Sequence, residues 1–143
     1  MNYEFLEDVA IADIAFRAWG KDLGELFKAA GDATMNAMID NLEAIEPKEQ
    51  QNISLENDEL DMLLFNFLQE FIYYKDSEQL LLRAQQVEFS ERDGNHQLTA
   101  VFRGETLDPN RHEQRVDVKA VTLHRFQLEK TDDGWTAMVI LDI

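Results

Sequence analysis

The stretch Asp13-Ile14-Ala15-Phe16-Arg17-Ala18-Trp19-Gly20-Lys21-Asp22-Leu23-Gly24-Glu25-Leu26-Phe27 changes its hydrophobic period partway, and that change sets the fold class. Up to Trp19 the period is two. Ile14, Phe16 and Ala18 fall on one side, and Asp13, Ala15, Arg17 and Trp19 on the other, as in a strand. Gly20 breaks the run. From Leu23 the period lengthens: Leu23, Leu26, Phe27, Ala30, Thr34, Ala37 and Met38 recur at three- and four-residue spacing and form one apolar stripe of a helix. Asp22 with Glu25 reads as an acidic variant of the capping box. Gly31 weakens the helix slightly and permits close packing.

Working outward, Pro47 and the polar residues to Asn52 read as a connection, and Ile53 with Leu55 as a short strand. A second stripe follows in Leu60, Leu63, Leu64, Phe67, Leu68, Phe71 and Ile72, with Asn57 or Asp58 available as its cap. Met62, Phe65 and Tyr73 widen its apolar face, which is the mark of a well-buried helix and not of a cofactor site. The rest is strand-like. Val87 to Ser90 and Gln97 to Arg103 flank Asp93-Gly94, a strong hairpin signal. Val116 to Leu123 alternates. Phe126 to Lys130 and Trp135 to Leu141 flank a second turn at Asp132-Asp133-Gly134. The expected architecture is a single α+β domain over residues 1–143. Its two helices, near Asp22–Asn41 and Asp58–Tyr74, pack on one face of a mainly antiparallel sheet.

The 143 residues suffice for one core, and nine Phe and two Trp supply its bulk. Twenty-nine acidic residues against 13 basic ones leave a net charge of −16. Such a field repels phosphates at long range, so direct non-specific nucleic-acid binding is not expected; a basic protein partner or bound cations suit it better. There is no cysteine, which excludes disulfides, thiolate metal sites and cysteine nucleophiles and fits a cytoplasmic protein. Met1 to Leu6 has no signal-peptide character, and no apolar run approaches the length of a membrane span.

The usual catalytic signatures are missing. Six scattered glycines form neither GxxxxGK[ST] nor GxGxxG, and neither GxSxG nor HExxH occurs. His96, His112 and His124 lack zinc-site spacing. His96 reads as an exposed turn residue, and His112, within Asp108-Pro109-Asn110-Arg111-His112-Glu113, as a surface one. Two carboxylates stand apart from the solvated acidic runs. Asp13 opens a strand beside apolar Ile11, Ala12 and Ile14; Asp142 lies next to the end of the apolar strand Met138 to Ile143. A carboxylate in such a setting requires compensation by hydrogen bonds, a lysine or a metal ion, and spacing alone leaves these open. Asp142 and the terminal carboxylate of Ile143 would lie close together, and like charges so placed call for a cation. With oxygen ligands alone, magnesium or calcium is the expected ion.

Three blocks carry a resemblance. They are Ala12-Asp13-Ile14-Ala15-Phe16-Arg17-Ala18-Trp19-Gly20-Lys21-Asp22-Leu23-Gly24-Glu25-Leu26-Phe27; Gly104-Glu105 with Leu107-Asp108 and Arg111-His112-Glu113; and Val118-Lys119-Ala120-Val121-Thr122-Leu123-His124 continuing through Glu129-Lys130-Thr131-Asp132-Asp133-Gly134-Trp135 to Leu141-Asp142-Ile143. In order and spacing they closely resemble the archease family over nearly the whole chain. The resemblance implies a non-enzymatic activator of the GTP-dependent, RtcB-type tRNA-splicing RNA ligase, which promotes guanylylation of the ligase histidine and multiple turnover. It also implies a divalent-cation site, calcium or magnesium, made by Asp13, Asp142 and Ile143 through its terminal carboxylate, with Lys119 and His124 serving ligase activation. The chain departs from the family where most members read Glu-His-Thr-Ala-Asp: here the five residues are Val9-Ala10-Ile11-Ala12-Asp13, and Glu7-Asp8 stands as a shifted equivalent. Leu123 and Arg125 replace the Tyr and Asp expected around His124. The competing expectation is a metal-dependent enzyme such as a small phosphohydrolase using Asp13 and Asp142; a third is a structural cation site in a binding module.

Overall fold

The computed structural model describes residues 2–7 and 13–143. The Asp8 half of the Glu7-Asp8 pair therefore lies outside the described residues. In chain order the elements are strands β1 (Tyr3–Leu6) and β2 (Asp13–Gly20), helix α1 (Leu23–Met38), a short 3-10 turn (Leu42–Ala44), β3 (Glu49–Asn57), helix α2 (Leu60–Glu78), β4 (Leu80–Arg92), β5 (Asn95–Thr106), β6 (Ala120–Val121), β7 (Gln127–Thr131) and β8 (Gly134–Asp142).

All pairings are antiparallel, but the strands divide into two sheets where one was expected. One has β8 at its centre, with β2 on one side and both β6 and β7 on the other; β1 extends it beyond β2. The other runs β3-β5-β4. Helix α1 packs against β2 and β8 of the first sheet and β4 of the second, and α2 touches strands of both. This explains why α1 is buried nearly all round, at Leu26, Phe27, Ala29, Ala30, Ala33, Thr34, Met35, Ala37 and Met38. A helix with one exposed side shows a narrower stripe.

Local signals act as the sequence requires. The Asp22 side chain accepts the Glu25 N–H at 2.8 Å, satisfying one of the free donors at the start of α1. Gly31 sits against Phe71 of α2: a Cβ there would lie 2.6 Å from the ring. Phe71 stacks on Phe102 of β5 (centroids 4.5 Å apart), so this contact ties α1, α2 and the second sheet together. Asp93 and Gly94 both have positive φ, 52° and 82°, and join β4 to β5 in a two-residue turn of the twist that hairpins favour.

Several boundaries differ from expectation. Helix α2 begins at Leu60 and runs to Glu78; its cap is Glu59, with no side-chain cap bond, and Asn57 instead accepts the Glu59 N–H. The stretch expected as a connection before Ile53 is the first half of β3, held by register with β5. The strand expected over residues 116–123 shrinks to Ala120–Val121. The preceding chain is drawn to the end of α1, where Arg115 and Val116 N–H groups donate to the Met38 and Ala37 carbonyls. His96 lies within β5 opposite Glu91 and is half-buried, not an exposed turn residue. Among the described residues no helix is long and apolar enough to cross a membrane.

Candidate functional site

Strands β2 and β8 pair along their whole length, so the first residue of one meets the last of the other: Asp13 is the direct cross-strand partner of Asp142. Opposed residues put their side chains on the same face, with Cβ atoms about 4.5–5.5 Å apart. Which face follows from the alternation. Phe16, Ala18, Val139 and Leu141 are buried in the main core, so the alternate rows Asp13–Asp142, Ala15–Ile140 and Arg17–Met138 lie on the opposite face, where Ala15 and Ile140 are nevertheless buried, 2% and 1% exposed. Both aspartates are half-buried. Ile143 is half-buried too and packs against the core, as does Ile14, so the backbone at this sheet end is anchored on both strands.

Lys119 joins the group through the main chain. Ala120 pairs with Asp142 from the other side of β8, and the Lys119 N–H donates to the Asp142 carbonyl at 2.8 Å. Val118, one residue earlier, is fully buried, while the Lys119 side chain is exposed. Lys119 thus stands just outside β6, not within a strand as expected. A buried anchor before it and a hydrogen bond at it fix the main chain of residue 119 beside that of Asp142.

His124 is not part of this cluster. It lies in the exposed turn after β6, closed by the Phe126 N–H donating to the Leu123 carbonyl at 3.2 Å. Its neighbours Arg125 and Phe126 line a groove further along the sheet.

Were a cation bound here, the Asp13 and Asp142 carboxylates would offer it oxygen ligands, which suit a hard ion. Among the described residues no three His, Asp or Glu side chains gather to hold a metal. Two side-chain carboxylates alone would leave most positions of a cation to water or a partner. That pattern fits magnesium, which keeps several waters, at least as well as calcium.

A second polar group escaped the sequence reading. Glu105 and His112 are buried, 3% and 1% exposed. The Glu105 carboxylate accepts from the Glu46 N–H (2.7 Å) and from Arg111, and one of its oxygens lies 3.0 Å from His112 Nε2. Lys48 approaches to 3.7 Å. Burial pushes the Glu105 carboxyl up, but the bonds from Arg111, Glu46 and His112, with the Arg111 charge, outweigh it and hold the group at about 2. His112 Nδ1 accepts the Asp108 N–H at 2.9 Å, so the ring proton sits on Nε2 and donates to Glu105. With every partner satisfied, this is a latch: it holds the chain after β5 against residues 46–48. His112 was expected at the surface because its sequence neighbours are polar. The available signal was Glu105, a carboxylate late in an alternating strand.

A model of the archease protein family matches residues 3–143. An archease from Pyrococcus abyssi is 37% identical over 133 residues, covering 92% of this chain and 93% of its own. One from Methanosarcina mazei is 34% identical over 143 residues, covering 99% and 96%. Among solved structures, protein 1598 of Methanobacterium thermoautotrophicum superposes with a TM-score of 0.85 at 31% identity, covering 99% of each chain. A Thermotoga maritima archease, described as a possible chaperone, superposes at 0.66 over 94% of this chain and 93% of its own; at 18% identity it speaks to the fold alone.

Proposed function

The chain belongs to the archease family, and on that premise we propose that it is a protein activator, not an enzyme, whose partner is the GTP-dependent, RtcB-type tRNA-splicing RNA ligase, with promotion of ligase guanylylation and of multiple turnover as its action. The observation that supports this reading is the joining of Asp13, Asp142 and the root of Lys119 at one open end of the five-stranded sheet. An exposed lysine whose main chain is held next to Asp142 can meet a phosphate or a carboxylate brought by a partner, and a cation held by the aspartates would have coordination positions left for that partner. The net charge of −16 would speed encounter with a positively charged, RNA-handling surface.

In this reading Asp13, Asp142 and the terminal carboxylate of Ile143 hold a divalent cation, calcium or magnesium. The cation supplies local positive charge, which relieves the repulsion between the carboxylates. Lys119 keeps its own role, pairing with an anionic group of the ligase complex, and His124 borders the contact. The test is ligase guanylylation and turnover with the partner limiting, with and without this protein, and with the chain incubated alone with nucleotide and metal. Activation of the ligase without turnover by the chain alone is the expected result. Turnover by the chain alone, or no effect on the ligase, would overturn it.

A further inference from the structure

We propose that the outer face of the five-stranded sheet carries a second binding site, a groove that takes the phosphate of a nucleotide. It is independent of the Asp13–Asp142 group and of the ligase reading. The groove has a volume of about 680 Å³ and is lined by, among others, Leu6, Arg17, Arg125, Phe126, Gln127 and Met138. That volume falls within the ~300–1,000 Å³ of small-ligand sites.

Sheet register builds it. Arg17 of β2 opposes Met138 of β8, which opposes Gln127 of β7, so these three side chains form one row on the face turned away from the core. Across two strand spacings the row is about 10 Å wide. Arg125 closes the Gln127 end. It sits in the turn before β7 with φ at 55°, the left-handed region that residues bearing a Cβ seldom occupy and that is often found where function places a side chain. Phe126 packs edge-on against Phe65 of α2 on the core side of the sheet, centroids 5.8 Å apart, and so anchors the turn that carries Arg125.

The charge is what selects the ligand. In a chain with 29 acidic residues, two of its 13 cations line one groove. Glu4 opposes Arg17 from β1 and Glu129 also lines the groove. Yet among the described residues no carboxylate comes within the 4.0 Å of an ion pair with either guanidinium. Two guanidiniums with no ion-pair partner among the described residues suit a phosphate, and Met138 between Arg17 and Gln127 suits the less polar remainder of a nucleotide. The charge of −16 disfavours a long polyanion, so the ligand is a mononucleotide or the terminal nucleotide of an RNA, sharing one phosphate chemistry.

The test is titration of the isotope-labelled full chain with GMP, with guanosine, with a short phosphorylated RNA and with a glutamate-rich peptide, followed by NMR. GMP is expected to shift the amides of Gln127 and Met138, with guanosine giving no comparable effect. Arg17→Gln and Arg125→Gln should each weaken GMP binding by about tenfold or more, as loss of a charge-assisted bond requires. Both side chains are exposed, so the variants should keep the wild-type spectrum elsewhere, which checks folding. Displacement of GMP by the phosphorylated RNA would support the site and assign its source as an RNA end; failure of the RNA to compete would assign the free nucleotide. The proposal is overturned if GMP causes no shift at millimolar concentration, if guanosine binds equally, if the variants bind like wild type, or if the acidic peptide binds the groove more tightly than GMP.

Discussion

Asp13 and Asp142 face each other directly across β2 and β8, the first residue of one strand against the last of the other. At a separation of about 5 Å two carboxylates repel by roughly 1 kcal/mol in water and about 3 kcal/mol at the effective dielectric of a protein surface. Neither figure threatens a fold, but both recur at every moment the site is empty. A cation or an ammonium bound between them would remove the repulsion.

If the pair holds a cation, Asp13→Asn should weaken calcium and magnesium binding by about tenfold or more, since it removes one of few protein ligands. Isothermal titration measures this directly. Extending the chain beyond Ile143 by a few residues should do the same by displacing the terminal carboxylate. Ligase activation should fall in parallel with affinity across these variants; activation that stays constant while affinity falls would separate the two and remove the cation from the activating role.

Lys119→Ala should change stability by no more than about 0.5 kcal/mol, the usual range for an exposed site. The main-chain bond from residue 119 to Asp142 survives the substitution. Activation of the ligase at limiting partner should drop clearly. A variant that activates fully would show that the ammonium is only a solvated surface charge.

Glu105 gives a pH dependence whose sign is fixed. Its carboxyl sits at about 2 in the folded chain, below its ordinary value of 4.5. Between those values the unfolded chain binds more protons, so stability rises with pH there. The contribution is fully present above about 4.5 and is lost as pH falls toward 2. Acid unfolding of wild type and Glu105→Gln, followed by circular dichroism, should show the variant with a shallower decline in that window and lower stability at neutral pH.

Gly31→Ala sets two effects against each other. Alanine improves helix propensity by about 1 kcal/mol. The added Cβ would sit 2.6 Å from the Phe71 ring, which is fully buried and stacked on Phe102. Overpacking of this kind costs roughly 1–3 kcal/mol, so the net change should be destabilising. Urea unfolding measures it; a more stable variant would mean that the helices move apart freely.

Where the chain's own chemistry was local, the sequence displayed it. Asp93-Gly94 announced its turn, the period change at Gly20 announced β2 and α1, and Asp22 its cap. Partner-dependent features stayed hidden. Glu49 to Asn52 carries no apolar alternation, and only pairing with β5 makes it a strand. Leu80, Leu81 and Leu82 are all buried, so β4 begins without the period of two. Residues 116–123 do alternate, yet bonds to the end of α1 claim their first half. At the candidate site, Asp13 and Asp142 were legible because each opens or closes an apolar strand. The Glu105–His112 latch was not, because what buries His112 is a contact with a carboxylate in another element.

The central position of β8 has a kinetic consequence. Its partners β2, β6 and β7 have no five-stranded sheet without it, and β2 waits for it across almost the full length of the chain. During synthesis β2 emerges early, with β1 on one edge and α1 following to cover Phe16 and Ala18, but its other edge stays unpaired until β8 follows. Closing so long a loop is entropically slow, and the exposed edge in the interval invites pairing with other nascent chains. A chain stopped before β8 lacks half of the aspartate pair as well as the centre of its sheet. Truncated products that lack β8 should therefore be both inert and prone to aggregate, because the acidic pair and the five-stranded sheet form together.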